Sequence, residues 1–430
     1  MPSALKKVTL LFLVSLAISG VLLTAYYWQV SGPLKEPIAK HATALRSDAI
    51  PPANAIDIYH DDWTRVTHFE TTAAEIMFVV GTLFELLVAW VLIAGGVSRA
   101  IVTWLEKWVP NVHPVRALYL VIFTLLATIV NIPGDVTGYL IGILDGTSSS
   151  TLLLFTYDYA VGFGLTLVGV VLVYVVFYWI MDYFPRRWWV VIAAFMSLLT
   201  VNAVFFGPVF FDPLFNTYAP LTDTTLRQEI IALADKAGVP TDRIYVEDTS
   251  TRTLESNASV RGLWGTERIV LNDNMLKHYT NREILFVVGH ELGHYVHRDF
   301  VGGLISGVIE IFLSYLILAF VLRSLVRRFG RKIGVQRENS IVLFPLIGVV
   351  LAMFSLAASP INSAVSRIYE HNADAYALQI THDPSAGTDG FKKSAYETFT
   401  DPNPPAVLQF WFGDHPTIKE RIDFLGEKGR

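Results

Sequence analysis

No cysteine occurs among the 430 residues, which excludes disulfides, thiolate metal ligands and cysteine nucleophiles. Charge is scarce as well. Asp, Glu, Lys and Arg make up 17% of the chain, against about 25% in a soluble protein. The net charge of −5 is mild and leaves no basic footprint, so no nucleic-acid partner is expected. Internal repeats and low-complexity tracts are missing too. What stands in place of charge is apolar: 53% of residues, against roughly 45–50% in ordinary chains. The excess is gathered into runs of about 20 nearly uncharged residues, each long enough to cross a hydrocarbon core of about 30 Å. Runs this clean exclude a single soluble domain, a disordered chain and a β-barrel. An absence of cysteine also suits a bacterial membrane protein with an extracytoplasmic face.

The runs fall at residues 8–27, 75–96, 117–132, 160–179, 188–210, 301–322 and 341–359. Lys6 and Lys7 precede the first run, and Tyr26, Tyr27 and Trp28 end it. No small-residue cleavage site follows, so an uncleaved span is expected rather than a signal peptide. The polar stretch to about Thr72 reads as a loop or small extramembrane element. Residues 133–159 carry a Pro-Gly-Asp break and a serine run. A re-entrant or interfacial element there leaves six or eight spans open beside seven. The expected fold is an α-helical integral membrane protein with about seven transmembrane helices and a mainly helical domain carrying a small β-sheet. Its parts are a membrane domain at 1–210, a first polar block at 211–300, a transmembrane hairpin at 301–360 and a second polar block at 361–430. In the first block a helix is predicted near 224–237, capped by Asp223 and stopped by Gly238, with strands near 243–247 and 267–271. In the second, helices are predicted near 364–379 and 417–425.

The chemistry concentrates in His290-Glu291-Leu292-Gly293-His294. Residues four apart on a helix differ by only about 40° around its axis. His290 and His294 can therefore direct their imidazoles at one Zn²⁺, with Glu291 beside them to handle a water. Two histidines and a glutamate also meet by chance, so a zinc site needs a third ligand. In the second block, Arg367, Glu370 and Asp374 share one helical face. Glu370 can complete a His₂Glu set, and Asp374 can accept the outer N–H of a ligating histidine. His297 falls on the same face as the first pair, but Arg298-Asp299 reads as a helix exit at the water interface. His371 points about 100° away from Glu370. Glu85 and Glu310 lie mid-span, where each is costly facing lipid. Each should line a water-filled chamber or bond, protonated, to a neighbouring helix.

These residues resemble the type I CAAX prenyl proteases, multi-spanning zinc metalloproteases of the endoplasmic reticulum, and their bacterial relatives. The resemblance rests on the His290–His294 motif, on Ser366-Arg367 with Glu370 and Ala373-Asp374, and on Asp212-Pro213-Leu214-Phe215-Asn216 with Pro220-Leu221. It extends to Ser256-Asn257-Ala258, to Arg268-Ile269-Val270-Leu271 and to His415-Pro416 with Arg421-Ile422. It implies one Zn²⁺ per chain held by His290, His294 and Glu370, with Glu291 as general base. It further implies that Asn257 and Ala258 hold the substrate backbone and that His415 stabilises the oxyanion. Asp374, Arg367 and Arg421 are then supporting residues. On the residues alone, Asn257 can equally hold a turn and His415 can open a helix.

The expected function is a membrane-embedded zinc endopeptidase acting on a peptide or membrane-protein substrate within the lipid bilayer of the cell membrane. One alternative is a quality-control protease of the HtpX type. Another is a seven-span transporter or receptor with an incidental metal-like motif. Lys and Arg favour cytoplasmic loops. With seven spans and the N-terminus inside, thirteen basic residues fall on the cytoplasmic side, six of them between Arg323 and Arg337. The comparable outer loop at 29–72 holds four, beside six acidic residues. That count places the catalytic blocks on the extracytoplasmic side.

Overall fold

A computed structural model of the chain describes residues 1–47, 50–239, 241–262 and 267–428. Among them, seven helices are long and apolar enough to cross a membrane. The first five are carried by α1 (Pro2–Ser31), α3 (Asp61–Ile93), α5 (Val112–Asp145), α6 (Leu152–Tyr183) and α7 (Trp188–Phe210). Two short helices, α2 (Lys35–Arg46) and α4 (Val97–Glu106), lie between them. The stretch before Thr72 is thus largely helical, filled by α2 and the first turns of α3. Residues 133–159 hold no re-entrant element. They comprise the end of α5, a turn with Gly146 at φ 85° and the start of α6. Pro133 sits inside α5 without ending it. One turn later the Thr137 hydroxyl donates to the Pro133 carbonyl at 2.8 Å.

The first polar block folds as β1 (Tyr218–Pro220), α8 (Thr224–Lys236), β2 (Ile244–Glu247), β3 (Ala258–Arg261), β4 (Arg268–Asn272), α9 (Asp273–His278) and α10 (Asn281–His297). Asp223 caps α8 by accepting from Thr225 and Leu226 N–H, and Gly238 follows its end at φ 70°. The sheet order is β1-β2-β4-β3, with β2 and β4 parallel and β3 antiparallel to β4. β3 is therefore an edge. The spans α11 (Asp299–Ile333) and α12 (Phe344–Thr381) follow, then α13 (Pro384–Thr398), α14 (Ala406–Trp411) and α15 (Ile418–Lys428). The helix expected at 364–379 is not a separate element. It is the end of α12, which passes Pro360 unbroken.

Two features tie the layers together. The α5–α6 turn and the start of α6 dock on the first polar block: Arg252 forks onto Asp158 at 2.8 and 2.9 Å, and Ser148 bridges Thr253. At the opposite end of the bundle, buried Arg116 forks onto Asp182 and donates to the Asn339 carbonyl at 3.1 Å. Between the spans, a cavity of about 570 Å³ is lined by Glu85, Ser359, Asn362 and Phe412. Glu85 thus lies on a cavity wall, whereas Glu310 is bonded to a neighbouring helix through Asn362 Nδ2 at 3.1 Å.

Removing one partner of a fully buried ion pair costs roughly 3–5 kcal/mol. The Asp182 side chain keeps 29% of its surface, so about 2 kcal/mol is expected for Arg116→Met. The thermal unfolding midpoint in detergent should fall, and adding Asp182→Asn should recover part of the loss. A midpoint at the wild-type value would show that the pair contributes nothing to the bundle.

Candidate metal centre

α10 is built to hold its histidines still. Thr280 caps it and Glu283 closes a capping box, its carboxylate accepting Thr280 N–H at 2.6 Å. The same carboxylate meets buried Lys393 at 2.7 Å. Ile284, Val288 and Leu292 are buried in the cluster that holds the sheet and α8, anchoring the helix there. The opposite face carries two glycines. A Cβ at Gly293 would stand 3.0 Å from Ala373 Cα and 3.2 Å from Tyr376 Cβ, and one at Gly289 would stand 3.4 Å from Ala377 Cα. Bare Cα atoms therefore let α10 and α12 approach closely.

That approach brings the two polar blocks together. The ligand atoms of His290, His294 and Glu370 lie within 4.8 Å of one another. His290 Nε2 faces His294 Nε2 at 3.1 Å. The two carboxylate oxygens of Glu370 stand 3.3 Å from one imidazole each. Tetrahedral N/O ligands about 2.1 Å from a common centre are separated by about 3.4 Å, so the triangle fits a zinc-sized ion. Glu370 Oε2 is buried and accepts no hydrogen bond, as expected of an oxygen meant for a cation.

The outer nitrogens are spoken for. His290 Nδ1 donates to Asp374 Oδ1 at 2.8 Å and His294 Nδ1 to Asp299 Oδ2 at 2.8 Å. Each carboxylate fixes the tautomer that leaves Nε2 facing the centre. Arg421 forks onto Asp374, with Nε 2.8 Å from Oδ2 and Nη2 2.6 Å from Oδ1, while its guanidinium lies over the Phe391 ring at 4.0 Å. Burial works against a charged His290, but the Asp374 and Glu370 carboxylates outweigh it and raise the imidazole to about 9. His294 is likewise raised, with burial opposing and Glu370 and Asp299 favouring the charge. The cage is thus tuned to hold positive charge. Glu291, on the same turn, is raised by burial, with the two histidines opposing.

The remaining candidates divide. His415 reaches the centre, its Nε2 3.3 Å from Glu370 Oε2 and its Nδ1 2.8 Å from Asp414 Oδ1, with half its side chain exposed. Asn257 is exposed just before the β3 edge, its Oδ1 accepting Ala258 N–H at 2.8 Å. Arg367 does not touch the metal-site side chains. It donates to the Gln409 carbonyl at 3.0 Å and to that of Gly413, strapping down the segment that carries His415. One turn before Glu370, it points along α12 toward α14 instead. His297 and His371 are exposed, against Tyr376 and Phe424 respectively. Asp299 was not foreseen as a site residue. Its only sequence signal is its place directly after the helix exit, where a left-handed Arg298 at φ 57° turns the chain back toward His294. Glu397, buried and accepting from Ser256 N–H at 2.9 Å, anchors the approach to β3 and had no signal at all.

Comparison with known proteins agrees with this geometry. The model for peptidase family M48 matches residues 220–428. The model described as CAAX prenyl protease N-terminal, five membrane helices, matches residues 40–217. An uncharacterized metalloprotease of Bacillus subtilis is 29% identical over 80% of this chain and 81% of its own length. CAAX prenyl protease 1 of Saccharomyces cerevisiae is 30% identical over 58% of each chain, so the match spans little more than half of that relative. The crystal structure of Ste24p from S. mikatae superposes with a TM-score of 0.72 over 99% of both chains at 23% identity, a likeness of fold.

Loss of a carboxylate behind a ligating histidine typically weakens metal binding by about 10–100-fold. Asp299→Ala should do so, measured by competition with a chelator of known affinity. Affinity within a factor of two of the wild type would remove Asp299 from the centre.

Proposed function

Because the chain belongs to peptidase family M48 and is a multi-pass membrane metalloprotease, we propose that it is a zinc endopeptidase of the CAAX prenyl protease type. His290, His294 and Glu370 are the ligands of one Zn²⁺ per chain, and Glu291 is the general base. The observation that carries this reading is the convergence of those three side chains within 4.8 Å on the helical turn that also presents Glu291. In this reading, residues 211–300 and 361–430 form one catalytic domain, interrupted by the hairpin at 301–360 and seated on the membrane domain at 1–210. The transporter or receptor alternative falls with the family. Against the HtpX-type alternative stands the match to the five-helix N-terminal module.

Zinc at this site would supply Lewis-acid polarisation of the scissile carbonyl and lower the pKa of a coordinated water toward about 7. Glu291 takes the proton of the attacking water and delivers it to the leaving amine. His415, half exposed and facing the centre, donates to the developing oxyanion. The substrate is a peptide segment, free or part of a membrane protein. It lies extended along the open edge of β3, its backbone held at Ala258 and by the exposed Asn257 amide. Asp374, Asp299 and Arg421 hold the histidines in place and do not touch substrate.

Two substitutions separate the roles. Glu291→Gln should keep zinc near one per chain yet lose peptidase activity by several orders of magnitude. Glu370→Ala should lose both zinc and activity. Loss of zinc from the first variant, or full chelator-resistant zinc in the second, would overturn the assignment.

The catalytic domain lies on the extracytoplasmic side in this proposal. α11 and α12 carry the metal site at one end and Arg323, Arg327, Arg328, Arg331 and Lys332 at the other, and basic residues favour the cytoplasm. Alkaline phosphatase fused after Arg430, which lies outside the described residues, should be active in a bacterial host. A cytoplasmic fluorescent reporter that lights up at the same junction would reverse the orientation.

A further inference from the structure

The end of the bundle away from the metal centre holds a second polar cavity. α11 begins at Asp299, beside His294. At 1.5 Å per residue, Arg323 lies roughly 36 Å further along it. There the end of α6, the start of α7, α11 and the connection to α12 border an open cavity of about 710 Å³, with Asp182, Arg323, Arg327, Arg337 and Glu338 in the lining.

The acids of this cavity already have partners. Glu338 accepts from Arg323 Nε at 3.2 Å and from the Trp188 indole at 2.9 Å. Asp182 is taken up by Arg116 and by Asn339 Nδ2 at 2.6 Å. Arg327 and Arg337 also line the space, are exposed, and make no ion pair among the described residues. An entering anion therefore meets two guanidinium groups whose donors are not already engaged by carboxylates.

Depth identifies the anion. Trp179 and Tyr183 stack at 5.5 Å and Tyr183 packs edge-on against Phe184, all three exposed at the end of α6. Aromatic clusters of this kind mark the boundary between hydrocarbon and water. The cavity thus opens at the level of lipid headgroups, with apolar Met181, Pro185 and Val326 beside its arginines. Guanidinium groups match phosphate oxygens bidentately, and basic pockets between spans at this depth suit anionic headgroups.

We propose that this cavity is a phosphate-binding site, with Arg327 and Arg337 as its anchors and the phosphodiester of an anionic phospholipid as its ligand. A soluble phosphate shares the chemistry, so the test separates the two sources. Full-length protein in neutral detergent is supplemented with phosphatidylglycerol, with phosphatidylcholine at the same mole fraction, or with inorganic phosphate alone. Lipid retention is read by native mass spectrometry and stability by thermal unfolding. Phosphatidylglycerol should be retained and should raise the unfolding midpoint. Arg327→Gln and Arg337→Gln should each weaken its binding about fivefold. Arg328→Gln, on the same helix but outside the cavity, should leave it unchanged. If inorganic phosphate alone gives the same arginine-dependent shift, the phosphate site stands and its ligand is a soluble anion. Equal retention of the two lipids, or a loss in Arg328→Gln as large as in Arg327→Gln, would reduce the effect to diffuse surface charge and overturn the site.

Discussion

Everything at the metal centre depends on how closely α10 can lie against α12. The two helices come from polar blocks separated in sequence by a transmembrane hairpin, and each contributes only part of the donor set. Gly289 and Gly293 face Ala377 and Ala373 almost backbone to backbone. That contact sets the position of Glu370 and Asp374 relative to His290 and His294. A side chain at position 293 would push against the α12 backbone, and the whole donor triangle would open with it. The histidine pair explains the outer positions of the His-Glu-Leu-Gly-His motif. The glycine explains why its fourth position is small.

The same contact buries several charges in a small volume, which is tolerable only if each is matched. Asp374 is 1% exposed and has Arg421 on one side and His290 on the other. Asp299 has His294. Glu370 is left with one buried oxygen and a ring of imidazoles around it. Without a cation the carboxylates push the histidines toward their charged forms. With one, the histidines become neutral ligands and the charge passes to the ion. What the geometry offers a metal ion is two imidazoles and a carboxylate facing one centre.

Much of this was legible in the sequence because metal chemistry leaves few alternatives. Ligands four apart on a helix, a carboxylate between them and a third ligand on another helical face are requirements that spacing can meet or fail. The span count was legible for the same reason, since a bilayer sets a minimum length. What escaped was set by context. Pro133 reads as a break under rules for helices in water, yet it lies inside a continuous span, as does Pro360, where leaving a backbone group without a partner costs more than bending around the ring. Asp299 escaped because its role depends on a left-handed turn at Arg298, a conformation that an arginine does not announce. Arg367 is expected as a supporting residue, but spacing cannot reveal which way a long side chain points. It runs to carbonyls of the segment before His415.

The continuity of α12 also ties the second polar block to the hairpin that precedes it. One face of this helix carries, in order, Ser359, Ser363, Arg367, Glu370 and Asp374. The two serines donate to the Trp411 carbonyl and Arg367 to those of Gln409 and Gly413, so the segment leading to His415 is held by the same rod that supplies Glu370 and orients His290. Ser359 also lines the intramembrane cavity, as does Phe412, three residues before His415. A separate helix starting after the bilayer would leave the relative positions of the cavity wall, His415 and Glu370 to loops. A single helix fixes them through its own hydrogen bonds. The unbroken helix thus gives a rigid connection between the cavity among the spans and the carboxylate at the centre.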